Sequence, residues 1–389
     1  MSATAILQYS AGQILEALND GVYVTNLDRQ IVYWNQAAER ITGWSAEEVM
    51  GRNCHDNLLC HTDKDNNRLC GKEHCPLHRA IITDAGSLTP VTIFAHGKDG
   101  RKIPVQVSVS PIHDEQGAVI GGVEIFRDAS EQMRNLERAR SIQTLSMRMP
   151  ANDDPRLQFA VKYLPHDIIG GDFYTIEKLN TNRYAFCIVD VMGHGTAAGL
   201  YAMHLHSLWE TNRRLLDRPA SFVSQLNKSL CQLVRDEESF ATGLFGYIDL
   251  QAEAVALCAA GSPSFLITRQ GQTRRITLAG LPLGLIHDHI YEMTFMPLKP
   301  GDGLLLFTDG AIEITDNKDT MLGNNGMSGL IDTLGFPETE ENLAGLLEKM
   351  LQFSNQTNFP DDVTMLSLRY LGHADQQKPY GIPIERPLP

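Results

Sequence analysis

After a polar start, two short runs of alternating apolar and polar residues, Val22 to Thr25 and Ile31 to Trp34, flank the polar turn Asn26-Leu27-Asp28-Arg29, the pattern of a β-hairpin. Asn35 to Thr42 then reads as a short helix ended by Gly43, and Ser45 followed by Glu48 has the spacing of a capping box. Three more strands are predicted at Leu88 to His96, Ile103 to Pro111 and Val119 to Phe126, joined by turn-forming Gly97-Lys98-Asp99-Gly100 and His113-Asp114-Glu115-Gln116-Gly117. This pattern specifies a small α+β domain with one sheet face to cover. From Asp128 to Met149 there is neither glycine nor proline, and Leu136, Ile142, Leu145 and Met149 form an apolar stripe. A linker helix is expected there, able to pair with a second copy as a short coiled coil.

Beyond residue 150 the apolar runs are denser, and several end in an acid beside glycine. Phe159 to Tyr163 reads as a strand, Asp172 follows Ile168-Ile169-Gly170-Gly171, and Tyr184 to Val189 ends in Asp190 before Val191-Met192-Gly193-His194-Gly195. Gly303 to Phe307 runs into Thr308-Asp309-Gly310, and Asp361-Asp362 opens the last apolar run, Val363 to Leu368. Helical patterns cover Thr196 to Leu208 and Pro219 to Val234. A single acid of this kind is commonly an ordinary turn residue. Four such signatures in one region suit ligands for magnesium or manganese, hard cations that prefer carboxylate and carbonyl oxygens. The resulting division is 1–128, a linker at 129–149, a second domain at 150–371 and a proline-containing, loosely packed tail at 372–389.

Composition narrows the function classes. With 389 residues, 47 acidic against 33 basic side chains and a formal net charge of -14, neither nucleic acid nor an anionic membrane is expected as the main partner. No run of 18 apolar residues occurs, so a cytoplasmic location is expected. Seven cysteines are too few for a disulfide scaffold, yet Cys54, Cys60, Cys70 and Cys75 crowd one polar segment with His55, His61, His74 and His78. Their thiols suit a zinc or iron–sulfur centre; a thiol–disulfide switch and unligated cysteines are the alternatives.

Asp28, Trp34-Asn35-Gln36-Ala37-Ala38-Glu39, Thr42-Gly43 and Phe126-Arg127-Asp128 together resemble a PAS sensory domain over about residues 10–128. The four acidic signatures, with Phe240 to Asp249, Ala260-Gly261-Ser262-Pro263 and Leu281-Pro282-Leu283-Gly284, resemble the bacterial sporulation and stress-response branch of the metal-dependent serine/threonine phosphatases. The resemblance implies an α+β multidomain chain: a PAS fold, a linker helix and an α-β-β-α sandwich. It also implies two Mn2+ or Mg2+ ions, with Asp190 bridging both and the Val191 carbonyl as a further ligand, Asp172 on one ion, and Asp309 and Asp361 on the other. Asp362 is the weaker choice of its pair, and His194 is a candidate proton donor. The implied activity is hydrolysis of phosphoserine or phosphothreonine on an anti-sigma-factor antagonist or related regulator by a homodimer. The competing class is a noncatalytic PAS-linked scaffold.

Overall fold

Residues 10–372, apart from 57, 72–73, 88, 148 and 234–239, are described by a computed structural model. The tail expected to be loosely packed lies outside them, except for its first residue. The chain separates into two units, 1–135 and 136–389.

In the first unit the alternating runs form one antiparallel sheet, ordered β2-β1-β5-β4-β3, from β1 (Gly21–Asn26), β2 (Ile31–Trp34), β3 (Val91–His96), β4 (Lys102–His113) and β5 (Val119–Asp128). The period of two puts Ile103, Val105, Val107 and Val109 of β4 on the covered face. β3 starts at Val91, just after Pro90, which has no N–H to give a ladder; Leu88, where the strand was expected to begin, lies outside the described residues. Asn35 caps α2 (Gln36–Thr42) and also ties the sheet: its Oδ1 accepts from the N–H groups of Ala38 (2.8 Å) and Val22 (2.9 Å), and its amide donates to the Leu15 and Asp20 carbonyls. α4 (Pro76–Thr83) begins on a proline at its first turn and buries Leu77, Ala80 and Ile81. Tyr23, Trp34 and Phe126 fill the core beside them. Two short helices, α1 (Ala11–Glu16) and α3 (Ala46–Val49), complete this unit, and α3 carries the expected Ser45–Glu48 capping box.

Helix α5 (Ser130–Ser146) carries the chain across the boundary. Of the apolar stripe, Ile142 and Leu145 are 54% and 65% exposed while Leu136 and Met149 are half-buried, and Gln143 is buried. The Gln143 amide donates to the Gly170 carbonyl at 2.7 Å, so a polar contact anchors the C-terminal part of the helix.

The second unit contains two antiparallel five-stranded sheets. One is ordered β13-β10-β9-β8-β7, from β7 (Phe173–Lys178), β8 (Arg183–Val191), β9 (Ala241–Asp249), β10 (Ala254–Ala260) and β13 (Thr294–Pro297). The other is ordered β12-β11-β14-β15-β6, from β6 (Leu157–Leu164), β11 (Phe265–Arg269), β12 (Gln272–Ile276), β14 (Gly303–Phe307) and β15 (Val363–Tyr370). Phe186, Ile188, Leu244 and Leu257 of the first meet Leu304, Leu306, Leu366 and Leu368 of the second in one shared core. On the outer face of the first sheet, α6 (Thr196–Thr211) and α7 (Pro219–Leu233) pack Ala202, Leu205, Phe222 and Leu226 against Cys187, Val189 and Phe245. On the other, α8 (Gly323–Leu334) and α9 (Glu340–Ser354) pack Met327, Leu343 and Met350 against Leu305, Phe307 and Met365. Strands covered on both faces explain the unbroken apolar runs, and the layers are α-β-β-α. No helix among the described residues is long and apolar enough to cross a membrane.

Candidate metal centre

Each acid of the second unit lies at or near a strand end, and the acids come from both sheets. Asp172 immediately precedes β7, and Asp190 is the penultimate residue of β8. Asp309 opens the turn after β14, and Asp361 precedes β15. Asp172 is fully buried. Its Oδ2 accepts from the Thr308 hydroxyl at 3.0 Å and the Thr364 hydroxyl at 2.6 Å, both from the opposite sheet. Its Oδ1 has no hydrogen-bond partner.

The strands can converge because glycine stands where they cross. A Cβ on Gly171 would meet Ala198 Cβ at 2.9 Å and the Val191 carbonyl oxygen at 3.0 Å, and one on Gly310 would collide with the Asp362 carbonyl. The glycines beside the acids therefore admit the neighbouring backbone.

The neighbouring acids perturb one another strongly. Burial, and then the charges of Asp172 and Asp309, push the Asp190 carboxyl up to about 10; Asp309 is within hydrogen-bonding reach of it. Burial drives the Asp172 carboxyl well above the usual range, opposed by the threonine hydroxyls and reinforced by Asp362 and Asp309. Glu313 is raised by burial and by Asp309 and Asp361. Among the described residues, no lysine or arginine forms a salt bridge with Asp172, Asp190, Asp309 or Asp361. Oxygen donors in a poorly solvated place, one with an unsatisfied buried lone pair, fit a hard divalent cation.

Asp362 has different surroundings from its neighbour. Its two oxygens accept from the backbone N–H groups of His166 (2.6 Å) and Gly171 (2.5 Å), and it is 3% exposed. It braces the loop that delivers Asp172. Asp361 is half-buried and accepts the Asp362 N–H at 2.7 Å.

His194 lies in the exposed loop between β8 and α6, where its Nδ1 meets Asp167 Oδ2 at 2.7 Å. That bond raises the imidazole's pKa. The His166 ring packs edge-on at 5.2 Å, with its Nδ1 donating to the Phe359 carbonyl. His166, Asp167 and His194 form the only group of three among the described residues whose possible ligand atoms lie within 4.8 Å of one another. Sequence reasoning did not reach Asp167, Thr308 or Thr364; the threonines' places beside Asp309 and Asp362 were the available signal.

In the first unit Cys54 and Cys75 are buried, Cys60 and Cys70 are half-buried, and none of the four is in a disulfide. Cys70 Sγ accepts the His61 N–H at 3.1 Å. The thiols do not gather to ligand spacing.

The strand ends of this α-β-β-α sandwich carry buried, mutually perturbed carboxylates without a basic partner, an arrangement able to hold divalent cations. Residues 180–371 match the family model of stage II sporulation protein E, and residues 12–129 match the PAS fold. The chain thus carries a segment similar to the PAS fold followed by one similar to stage II sporulation protein E. Over 186 residues it is 28% identical to the phosphoserine phosphatase RsbP of Bacillus subtilis, covering 47% of this chain and 46% of that one. It is 24% identical to the phosphoserine phosphatase RsbU of the same organism over 306 residues, 77% of this chain and 86% of that one. The chain thus spans less than half the length of RsbP. The solved SiaA-PP2C domain of Pseudomonas aeruginosa superposes with a TM-score of 0.55 at 19% identity, covering 62% of this chain and 99% of that one, a likeness of fold.

Proposed function

We propose that the second unit is a metal-dependent phosphoserine/phosphothreonine protein phosphatase under the control of the PAS unit, with a phosphorylated anti-sigma-factor antagonist or related regulator as substrate. The observation that carries this reading is Asp172: fully buried, held from two sides by Thr308 and Thr364, and left with one oxygen unsatisfied beside Asp190 and Asp309. Two Mn2+ or Mg2+ ions, when bound, activate water and neutralise phosphate charge. Asp190 and the Val191 carbonyl are assigned to the shared position, Asp172 to one ion, and Asp309 and Asp361 to the other. His194, oriented by Asp167 on Nδ1, is left with Nε2 to hold a proton for the leaving serine oxygen.

In the PAS unit the segment around Cys54, Cys60, Cys70 and Cys75 is proposed as a zinc or iron–sulfur centre that senses rather than catalyses. A homodimer is proposed through α5, in support of which Ile142 and Leu145 are more than half exposed.

The test is Mn2+-dependent release of phosphate from a phosphoserine protein by the full chain, compared with Asp190→Asn. Activity should fall to background while the fold, followed by circular dichroism, is retained. Near-parental turnover in the variant would remove the assignment, and a folded but inactive parent would favour the scaffold reading.

A further inference from the structure

The loop that leads to Asp172 and the loop that follows Asp190 carry, besides those acids, two histidines and a carboxylate that meet. His166 and Asp167 stand on the first and His194 on the second, and the possible ligand atoms of all three lie within 4.8 Å of one another. His194 Nδ1 and Asp167 Oδ2 are 2.7 Å apart, and the His166 ring stands edge-on to the His194 ring at 5.2 Å between centroids. A four-coordinate ion with bonds of about 2.0–2.2 Å holds its donors about 3.3 Å apart. Small side-chain rotations bring the three to that spacing, and the side chains that turn, Asp167 and His194, are exposed.

The third donor is held in place by distant residues. The His166 N–H donates to Asp362 Oδ1 at 2.6 Å, which ties its backbone to the residue before β15, 196 positions away. Its ring Nδ1 meets the Phe359 carbonyl at 3.0 Å. A carbonyl only accepts, so Nδ1 carries the proton and Nε2 the lone pair. A backbone carbonyl on the far nitrogen is a usual orienting partner of a metal-binding histidine. An exposed histidine–aspartate pair by itself is an ordinary surface contact; a second imidazole beside it, fixed in position and tautomer, makes a donor set. Donor type separates this group from the acidic centre, because two ring nitrogens and one carboxylate suit zinc, whereas magnesium and manganese prefer oxygen throughout.

We propose that His166, Asp167 and His194 hold one zinc-class divalent ion per chain, with water completing its coordination, and that this ion slows turnover at the neighbouring centre. Binding stands apart from the phosphatase reading; only the effect on turnover rests on it. The ion takes the place of the proton between His194 Nδ1 and Asp167, and that proton leaves to solvent. With Nδ1 on the ion, the ring no longer becomes the imidazolium that gives up a proton, so the leaving serine oxygen loses its donor.

The experiment is equilibrium dialysis of the reduced, full-length chain against buffered Zn2+ with Mg2+ in large excess, bound zinc being counted by elemental analysis. His166→Gln, Asp167→Asn and His194→Ala should each bind one Zn2+ per chain fewer than the parent. The midpoint for that ion should rise by at least about 10–100-fold, the loss that follows removal even of a group behind a ligand. Zinc held by the cysteine segment is common to all four proteins and cancels. Asp167 and His194 are exposed, so their variants keep the fold, followed by circular dichroism, even where His166→Gln does not. Asp190→Asn should keep the ion. Equal zinc counts in the parent and the three variants would overturn the site, as would loss of the ion in Asp190→Asn alone, which would assign it to the acidic centre. In the same buffer, Zn2+ that fills the site should lower parental phosphoserine turnover, and Asp167→Asn should retain a larger fraction of its own activity. An ion bound as expected but without effect on turnover would overturn its inhibitory role. A parent without phosphatase activity would remove that role together with the phosphatase reading, and the zinc count would still decide the site.

Discussion

Replacing Asp362 by alanine should cost stability, whereas replacing the adjacent Asp361 should cost metal binding. Asp362 is 3% exposed and accepts two backbone N–H groups, at 2.6 Å from His166 and 2.5 Å from Gly171. Hydrogen bonds to an ionised group contribute about 1.5–3 kcal/mol each. Removing both acceptors leaves one donor on the fully buried Gly171 and one on half-buried His166. Part of that loss is returned, because burial has raised the Asp362 carboxyl above its ordinary value, so its charge is itself unfavourably placed. A net loss of about 2–4 kcal/mol follows, which for a unit of this size lowers Tm by about 4–16 °C. Asp361 makes one such bond, to the Asp362 N–H, and is half-buried; Asp361→Ala should cost about 1 kcal/mol. The assay is thermal unfolding of the full chain in excess chelator and again with Mn2+. In chelator Asp362→Ala should melt well below Asp361→Ala, and added Mn2+ should raise Tm for the parent much more than for Asp361→Ala. Equal losses in chelator, or undiminished Mn2+ stabilisation of Asp361→Ala, would refute the division of labour between the two aspartates.

Gly310→Ala should lower Tm and weaken Mn2+ binding together, because its Cβ would displace the Asp362 carbonyl; an unchanged melting curve would show that the turn has room. Thr364→Val removes the 2.6 Å bond to Asp172 without changing shape, and should reduce Mn2+ affinity more than it reduces far-ultraviolet ellipticity. The Asp154 carboxyl is held down to about 2, chiefly by Arg156, so the stability it contributes is full above its ordinary value near 3.8 and is lost as pH falls from there towards about 2. An acid titration of Asp154→Asn should therefore lose less stability in that interval than the parent, although the variant starts less stable. Ile142→Glu with Leu145→Glu should shift the light-scattering mass from dimer to monomer; a parent monomeric at every concentration would remove the proposed α5 pairing.

Much of the architecture was legible from local pattern. Alternation in β4, the asparagine cap at Asn35 and the unbroken apolar run of β14 are local features whose spacing is set by the chain itself, so strand and helix places followed to within a few residues. The candidate acids were equally visible, because an acid beside glycine at the end of an apolar run is unusual wherever the strand lies in space. Their environment was not. Only packing of the second sheet against the first brings Thr308 and Thr364 onto Asp172, and only the turn after β14 makes Gly310 a place where a side chain would strike Asp362. The same holds for the end of α5, where the Gly170 carbonyl accepts the Gln143 amide from 27 residues away in sequence. The fold brings His61 and Glu124, 63 residues apart in sequence, into one core with their facing atoms 3.6 Å apart. Local periodicity determines which residues are buried; which buried polar groups then meet is decided by contacts between distant segments, as the meeting of Asp172 with Thr308 and Thr364 shows.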